Sequence, residues 1–369
     1  MSISLVIGGA GFVGSHLVET LLARGQHVRV LDNFSTGKRL NLPPSHPQLE
    51  VIGGDINDPA TVSQVTDGVA YVFHLATPSH ASYSKDSPGE RWSCTTDTLN
   101  VLAAAHKASV KRLIYSSCES VYGPPVVKPL TESDPTLPLS PYAFAKLTGE
   151  QQCVAYSAIY GLETVRLRYF NVFGPRQVFS GARPAAISEV LKTMLLGRVP
   201  TVEGDADERQ DFIYVDDVVH ANVLAAEAPR VSGKVYNIAR GRSTTLNEVV
   251  ATINAILGSQ LRPRCADNQP SDFATRLSDI ARAEVELGFC AATDLEQGLR
   301  RCIAYYASHP EELVTAEHPG SEFYDPHFCR SGPGELRSED EASRCPGTSG
   351  AGAATADELH PSPCTRESA

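Results

Sequence analysis

No apolar run in this 369-residue chain approaches the length of a membrane span, so no membrane partner is expected. The first residues enter a strand-like segment at Ile3, so no signal peptide is expected. Basic charge is scarce: 32 Lys and Arg stand against 43 Asp and Glu, a net charge of −11, which argues against nucleic acid as a partner. The nine cysteines never form a C-x-x-C pair and keep no regular spacing. Neither a zinc site nor a disulfide framework is indicated, no metal is expected, and a reducing cytoplasm is the simplest compartment. No internal repeat is visible. What remains, 42% hydrophobic and 20% charged residues, is the make-up of a globular enzyme able to bury a substantial core.

Hydrophobic periodicity fails near His309-Pro310. Residues 310–369 hold twelve acids against four Arg and are rich in Pro, Gly and Ser. Such a segment buries too little apolar surface to offset its ordering entropy and is expected to be a disordered tail. An unselected extension is the simpler reading of it, a regulatory or interaction tail the sharper one. The acidity is concentrated there, leaving residues 1–309 nearly neutral.

Up to about residue 200, short β-branched runs alternate with helical patterns, as in a parallel sheet covered on both faces. Strands are expected at Ile3–Ile7, His27–Leu31, Leu49–Ile52, Ala70–His74, Arg112–Ser116 and Glu163–Arg168, with helices at Trp92–Lys107 and Tyr142–Tyr160. Beyond Asn171 the pattern loosens. A helix around Ile187–Leu196, a strand Phe212–Val215, an apolar run Val218–Ala226 and a helix Leu246–Leu257 suggest a smaller mixed region that returns to the main sheet. The expected fold class is α/β, a Rossmann-like doubly wound parallel sheet with a smaller mixed C-terminal substrate region. The expected division is 1–170 for a dinucleotide, 171–309 for a substrate and 310–369 for the tail.

The densest information lies in residues 3–32. A strand leads into Gly8-Gly-Ala-Gly-Phe-Val-Gly14, then a helical run, then a strand ending in Asp32. Gly9, Gly11 and Gly14 fit G-x-G-x-x-G; Gly8, Gly11 and Gly14 fit the wider G-x-x-G-x-x-G. The early glycines permit a tight turn and close approach of backbone to a pyrophosphate, and Gly14 lets the helix pack on the strand. A carboxylate at Asp32 would hold both hydroxyls of an adenosine ribose and repel a 2′-phosphate, which favours NAD over NADP.

Further along, Tyr142-Ala-Phe-Ala-Lys146 places a phenol and an ammonium four residues apart on one helix face. The lysine can lower the phenol pKa and bond a nicotinamide ribose, while the phenolate takes a proton from a carbinol as hydride leaves.

These segments resemble the NAD-dependent sugar epimerase/dehydratase group of extended short-chain dehydrogenase/reductases, and most of all the UDP-sugar 4-epimerases. Besides the glycine turn, the carriers are Asp32-Asn-Phe-Ser-Thr-Gly37, Gly54-Asp-Ile56, Phe73-His-Leu-Ala76, Ser116-Ser-Cys-Glu-Ser-Val-Tyr-Gly123 and Tyr142 to Lys146. Leu167-Arg-Tyr-Phe-Asn-Val-Phe-Gly-Pro-Arg176 and Asp211-Phe-Ile-Tyr-Val-Asp-Asp217 complete the series, which runs in order from residue 2 to about residue 305. The resemblance implies a cofactor site of Gly8, Gly11, Phe12, Val13, Gly14, Asp32, Asn33, Asp55, Ile56, Leu75, Ala76, Tyr142, Lys146 and Phe170. Asp55 and Ile56 would hold the adenine, Leu75 and Ala76 line the cofactor, and Phe170 lie near the nicotinamide. Tyr142 would be the general base and Asn171 would meet the sugar-nucleotide diphosphate. The family also implies a homodimer; apolar residues on more than one face of Trp92–Lys107 and Tyr142–Tyr160 suit pairing of these helices as a four-helix bundle.

The departures bear on activity. Where the family has Ser or Thr to bond the reacting oxygen, Cys118 offers a weak thiol. Glu119 stands where dehydratases have Asp, but Ser120 replaces their Glu, so the acid pair for water elimination is incomplete. The motif Asn-x-x-Gly-Thr becomes Cys94-Thr-Thr-Asp97-Thr98. Two arginines that clamp the diphosphate become Gln210 and Gln269, with Arg209 and Arg276 nearby. Neutral amides replace charged bidentate donors, and at about 1.5–3 kcal/mol each the losses amount to several kcal/mol of binding. A shift by one residue along a strand, as from Gln210 to Arg209, points to the opposite face.

The leading expectation is a nucleotide-sugar 4-epimerase acting by transient oxidation at C4 and return of hydride to the other face. A same-fold oxidoreductase, dehydratase or decarboxylase on a related or less anionic substrate is the second reading. An NAD-binding regulatory protein without turnover is the third; the intact Tyr142 and Lys146 argue against it.

Overall fold

In the computed structural model the described residues are 2–76, 94–124, 128–177, 186–203, 205–266 and 277–313. Seven parallel strands form the central sheet: β1 (Ile3–Ile7), β2 (His27–Asp32), β3 (Leu49–Gly53), β4 (Val69–His74), β5 (Arg112–Cys118), β6 (Thr164–Tyr169) and β7 (Lys234–Ile238). Their spatial order is β7-β6-β5-β4-β1-β2-β3. The order reverses between β4 and β2 on either side of β1, so a crevice opens beyond the carboxyl ends of β1 and β4, where ligands bind in such sheets. β5 and β6 are buried along their whole length, as central parallel strands must be.

Helices cover both faces. On one face, α1 (Phe12–Ala23) and α6 (Val215–Glu227) pack together, and Leu17, Val18, Leu21, Val218 and Val219 share a core with Val6, Val30 and Phe73. On the other, α2 (Pro59–Thr66), α3 (Cys94–Lys107) and α4 (Pro141–Tyr160) lie side by side, with Val62, Val65, Val101, Leu102 and Cys153 packed on Leu5, Ile7 and Leu113. A further apolar cluster joins α5 (Ala186–Leu195), α7 (Leu246–Leu257) and α9 (Leu295–Ser308); α8 (Ala281–Leu287) packs on β7.

The local signals for α4 are complete. Ser140 accepts from the Ala143 N–H as N-cap, Pro141 opens the first turn, and Gly161 ends the helix at φ +70°.

The structure departs from the sequence reading in three places. The strand expected at Phe212–Val215 is only Ile213–Tyr214, because Val215 opens α6. Acids at Asp216 and Asp217 suit that helix N-terminus, and Asp217 also accepts from the Ala292 and Thr293 N–H groups. β7, not expected as a strand, adds an edge next to β6 from the later part of the chain. Ordered structure also continues past His309: Pro310–Glu312 form a 3-10 turn, Glu312 accepts from the Tyr305 hydroxyl at 2.8 Å, and Leu313 is buried among the apolar side chains of α5, α7 and α9. The rest of the expected tail, 314–369, lies outside the described residues.

Among the described residues no helix is long and apolar enough to cross a membrane, and no cluster of His, Cys, Asp and Glu could hold a metal. Cys118, Cys153, Cys290 and Cys302 are free thiols, whereas Cys265 is disulfide-bonded, which the irregular cysteine spacing gave no reason to expect.

Candidate active site

The glycine turn sits at the mouth of the crevice and is built for close approach. A Cβ on Gly14 would lie 2.1 Å from the Gly8 carbonyl oxygen, and one on Gly8, at φ +82°, would lie 2.7 Å from the Ala76 nitrogen. Leu75 and Ala76 donate both their N–H groups to the Ile7 carbonyl at 2.9 Å, holding the end of β4 against the turn. Gly11 is the N-cap of α1 and has no side chain with which to satisfy the N–H groups of the first turn. Phe12 and Val13 turn their side chains into the core instead. Such a cradle, bare of side chains at a helix N-terminus, fits the pyrophosphate of a dinucleotide.

Asp32 ends β2 beside this turn. It accepts from the Ala10 N–H at 2.8 Å and, through the left-handed backbone of Phe34 (φ +55°), from the Phe34 N–H at 2.9 Å. Each carboxylate oxygen keeps a further lone pair, so ribose hydroxyls could still donate to it. Asn33 reaches Asp55 at 3.4 Å. The Asn57 N–H and amide also donate to Asp55 and hold its carboxyl below the usual range. The Ile56 carbonyl accepts from Asn100 of α3 at 3.0 Å. These residues fit the adenosine half of NAD.

At the carboxyl end of β5 the catalytic candidates converge. Tyr142 packs against a small apolar cluster of Cys118, Val121, Tyr122, Phe170 and Ala239. Burial pushes the Cys118 thiol up to about 11, with Glu119 adding to the effect. Burial also carries the Tyr142 phenol well above its ordinary value, with the Glu119 charge acting in the same direction. In this state Lys146 donates to the Ser116 carbonyl at 2.8 Å and lies 5.9 Å from the Tyr142 ring centre, so the expected lowering of the phenol is outweighed by burial.

Several nearby groups escaped the sequence reading. His74, at the end of β4, is buried; its Nε2 lies 3.2 Å from the Thr98 hydroxyl and its Nδ1 has no partner among the described residues. Burial, with the Lys146 charge, depresses it to about 3. Asp97, which replaces a glycine of the family motif, is buried and raised by desolvation. Glu150, Ser117 and Arg168 form a buried polar group behind Cys118. The signals available in the sequence were the departure at Asp97 from the family motif and the spacing of Glu150, four residues past Lys146.

The substrate candidates separate. Asn171 donates to the Asp211 carbonyl at 3.0 Å. Gln210 is 3% exposed and its Oε1 has no partner among the described residues, whereas Arg209, the next residue along the strand, is exposed and bonds Ser243 at 3.3 Å. Arg209 thus faces away from Gln210 and cannot replace the missing guanidinium. Gln269 and Arg276 lie outside the described residues, as do the side chains of Cys94 and Thr95.

The model of the NAD-dependent epimerase/dehydratase family matches residues 4–239. The chain belongs to that family. It is 33% identical over 299 residues to the UDP-glucose 4-epimerase of Corynebacterium glutamicum, covering 77% of this chain and 89% of that protein. Among solved structures, the UDP-N-acetylglucosamine 4-epimerase of Methanobrevibacter ruminantium, in complex with UDP-N-acetylmuramic acid, superposes with a TM-score of 0.78 at 35% identity, over 84% of this chain and 99% of that one. The Thermus thermophilus UDP-glucose 4-epimerase complex with NAD gives a TM-score of 0.74 at 30% identity, over 82% and 98%. The expected family, the Rossmann-like fold and NAD as cofactor stand.

Proposed function

We propose that this epimerase-family enzyme interconverts UDP-sugars at C4, as the names of its relatives indicate for them. The observation that carries the reading is the packing of Tyr142 against Cys118 and Phe170 at the carboxyl end of β5, with Lys146 5.9 Å from the Tyr142 ring centre. Bound NAD would supply the acceptor and later donor of hydride. Burial disfavours the Tyr142 phenolate, so Lys146 and the positive charge that oxidised NAD would bring must offset it; as the phenolate, Tyr142 takes the proton of the C4 hydroxyl and returns it, Cys118 bonds the same oxygen, and Lys146 also holds a ribose hydroxyl. Gly8, Gly11 and Gly14 with Asp32, Asn33, Asp55, Ile56, Leu75, Ala76 and Phe170 hold the cofactor. Glu119, Asn171 and Gln210 meet the sugar nucleotide; Arg209, turned to the other side of its strand, does not. Gln210 meets the diphosphate as a neutral amide, which favours weak substrate binding over loss of chemistry.

Residues 1–170 serve mainly the cofactor and 171–309 mainly the substrate. A homodimer pairs α3 and α4; Leu99, Phe144 and Ile159 are exposed on these helices. The cytoplasm is the proposed compartment; the four free thiols suit it and the disulfide at Cys265 does not. The test is to add UDP-glucose, UDP-N-acetylglucosamine and UDP-glucuronic acid to NAD-loaded protein, following product by mass spectrometry with chromatographic separation of epimers and absorbance near 340 nm. Epimer formation from one of them is the expected result. Bound NAD with no product and no absorbance change from any of them would refute it.

A further inference from the structure

Glu150 is 0% exposed, yet it carries a carboxylate one helical turn beyond Lys146 on the same side of α4. Three groups converge on it. The Ser117 hydroxyl donates at 2.5 Å, and Arg168 donates from Nε at 2.9 Å and Nη2 at 2.7 Å; Arg166 stands 3.9 Å away. An ion pair this deep costs much of its attraction in desolvation, and an apolar pair would join a helix to a sheet as well. What the charged pair adds is direction: a bidentate guanidinium and a hydroxyl fix where the carboxylate sits.

The neighbours of Ser117 make that direction matter. Four consecutive residues of β5 are each tied to α4. The Tyr115 hydroxyl donates to the Lys146 carbonyl at 3.4 Å, the Ser116 carbonyl accepts from Lys146 Nζ, Ser117 bonds Glu150, and Cys118 lies in the cluster on which Tyr142 packs. Gly149 allows the approach, since a Cβ there would lie 2.2 Å from the Tyr115 hydroxyl oxygen. Arg168 extends the frame outward, its guanidinium lying 4.6 Å from the Tyr122 ring centre, while Tyr122 donates to Asn237 of β7 at 2.6 Å. A slide of α4 along β5 would disturb the Tyr142 and Lys146 contacts together.

We infer that Glu150, clamped by Arg168 and Ser117, is a positioning residue that sets the register of α4 on β5 and so aims Tyr142 at Cys118 and the reacting hydroxyl. The inference rests on the reading of Tyr142 and Lys146 as the proton-handling pair. Misplacement of a reacting group by about 1 Å can cost 10²-fold in rate, so a partial loosening predicts a loss of about tenfold.

The test uses Ser117→Ala, which leaves the ion pair intact and cuts only its link to β5, in the full-length, NAD-loaded enzyme with whichever UDP-sugar it turns over. The expected result is a kcat lowered about tenfold with KM within about twofold. The acid limb of the kcat–pH profile should move to higher pH, amide exchange in residues 142–150 should quicken, and NAD content should be unchanged. Glu150→Asp, which keeps the charge but shortens the reach, should show the same pattern and decides the matter if Ser117→Ala does not fold. A folded, NAD-loaded variant whose kcat, acid limb and α4 exchange all match the parent, or whose only change is a lower melting temperature, would overturn the inference. Tyr142→Phe is run alongside: if it retains turnover, the catalytic pair itself is misassigned and the inference falls with it. If it is inactive while Ser117→Ala matches the parent, only the positioning role is lost.

Discussion

Acid should destabilise this protein through His74. Its folded-state value of about 3 lies far below the ordinary histidine value of 6.5, because the ring is buried next to Lys146. Between those values the unfolded chain binds a proton that the folded chain refuses. Stability from this residue is therefore fully present above pH 6.5 and is lost as pH falls toward 3. At about 1.4 kcal/mol per unit the ceiling is about 5 kcal/mol, and between pH 7 and pH 5 the loss is about 2 kcal/mol. His16, lowered mainly by burial, acts in the same direction and calls for an internal comparison. Urea unfolding of cofactor-depleted protein at several values between pH 5 and 7, for the parent and for His74→Gln, isolates the term. The parent should lose about 2 kcal/mol more than the variant over that interval. Equal pH dependence in the two proteins would refute the reasoning, since it would mean that His74 is protonated in the folded state or never exposed on unfolding.

Cys118→Ser should raise kcat about tenfold, because a hydroxyl bonds the reacting oxygen better than a buried thiol; stopped assays on the folded variant would show it, and a fall in rate would mean the thiol suits a different substrate. Asp32→Asn should narrow the preference for NAD over NADP by about tenfold in calorimetric titrations, because the charge that repels a 2′-phosphate is gone. A chain cut after His309 should melt lower than one cut after residue 320, since Leu313 is buried and truncating such a side chain costs about 2 kcal/mol or more. Light scattering at micromolar concentration should give twice the chain mass, and Ile159→Asp on exposed α4 should return it to the monomer.

What was legible in the sequence is what is local. The glycine turn, its helix and Asp32 lie within one βαβ unit, and Tyr142 and Lys146 lie on one helix, so spacing alone brings each set together. The strand Lys234–Ile238 was not legible: it is five residues long, contains a lysine and an asparagine, and becomes a strand by pairing with Thr164–Tyr169. Glu150 and Arg168 look like ordinary surface charges until the helix is laid on the sheet. Asp97 and His74 matter through burial, which no spacing shows. Leu313 is a single apolar residue in an acidic stretch, and only the cleft between α5, α7 and α9 gives it a place.

The late arrival of β7 has a consequence for how the molecule can be divided. β6 hydrogen-bonds β5 on one side and β7 on the other, and the Phe170 N–H continues the pairing to Ile238. A fragment ending at Phe170 would present β6 as a bare, apolar edge with unpaired N–H and carbonyl groups, the kind of surface that recruits a strand from another molecule. Such a fragment is expected to aggregate, and adding residues 171–240 back in trans should suppress aggregation by covering the edge. The central sheet is then built from both parts of the chain, so during synthesis it stays open-sided until residue 238 has emerged.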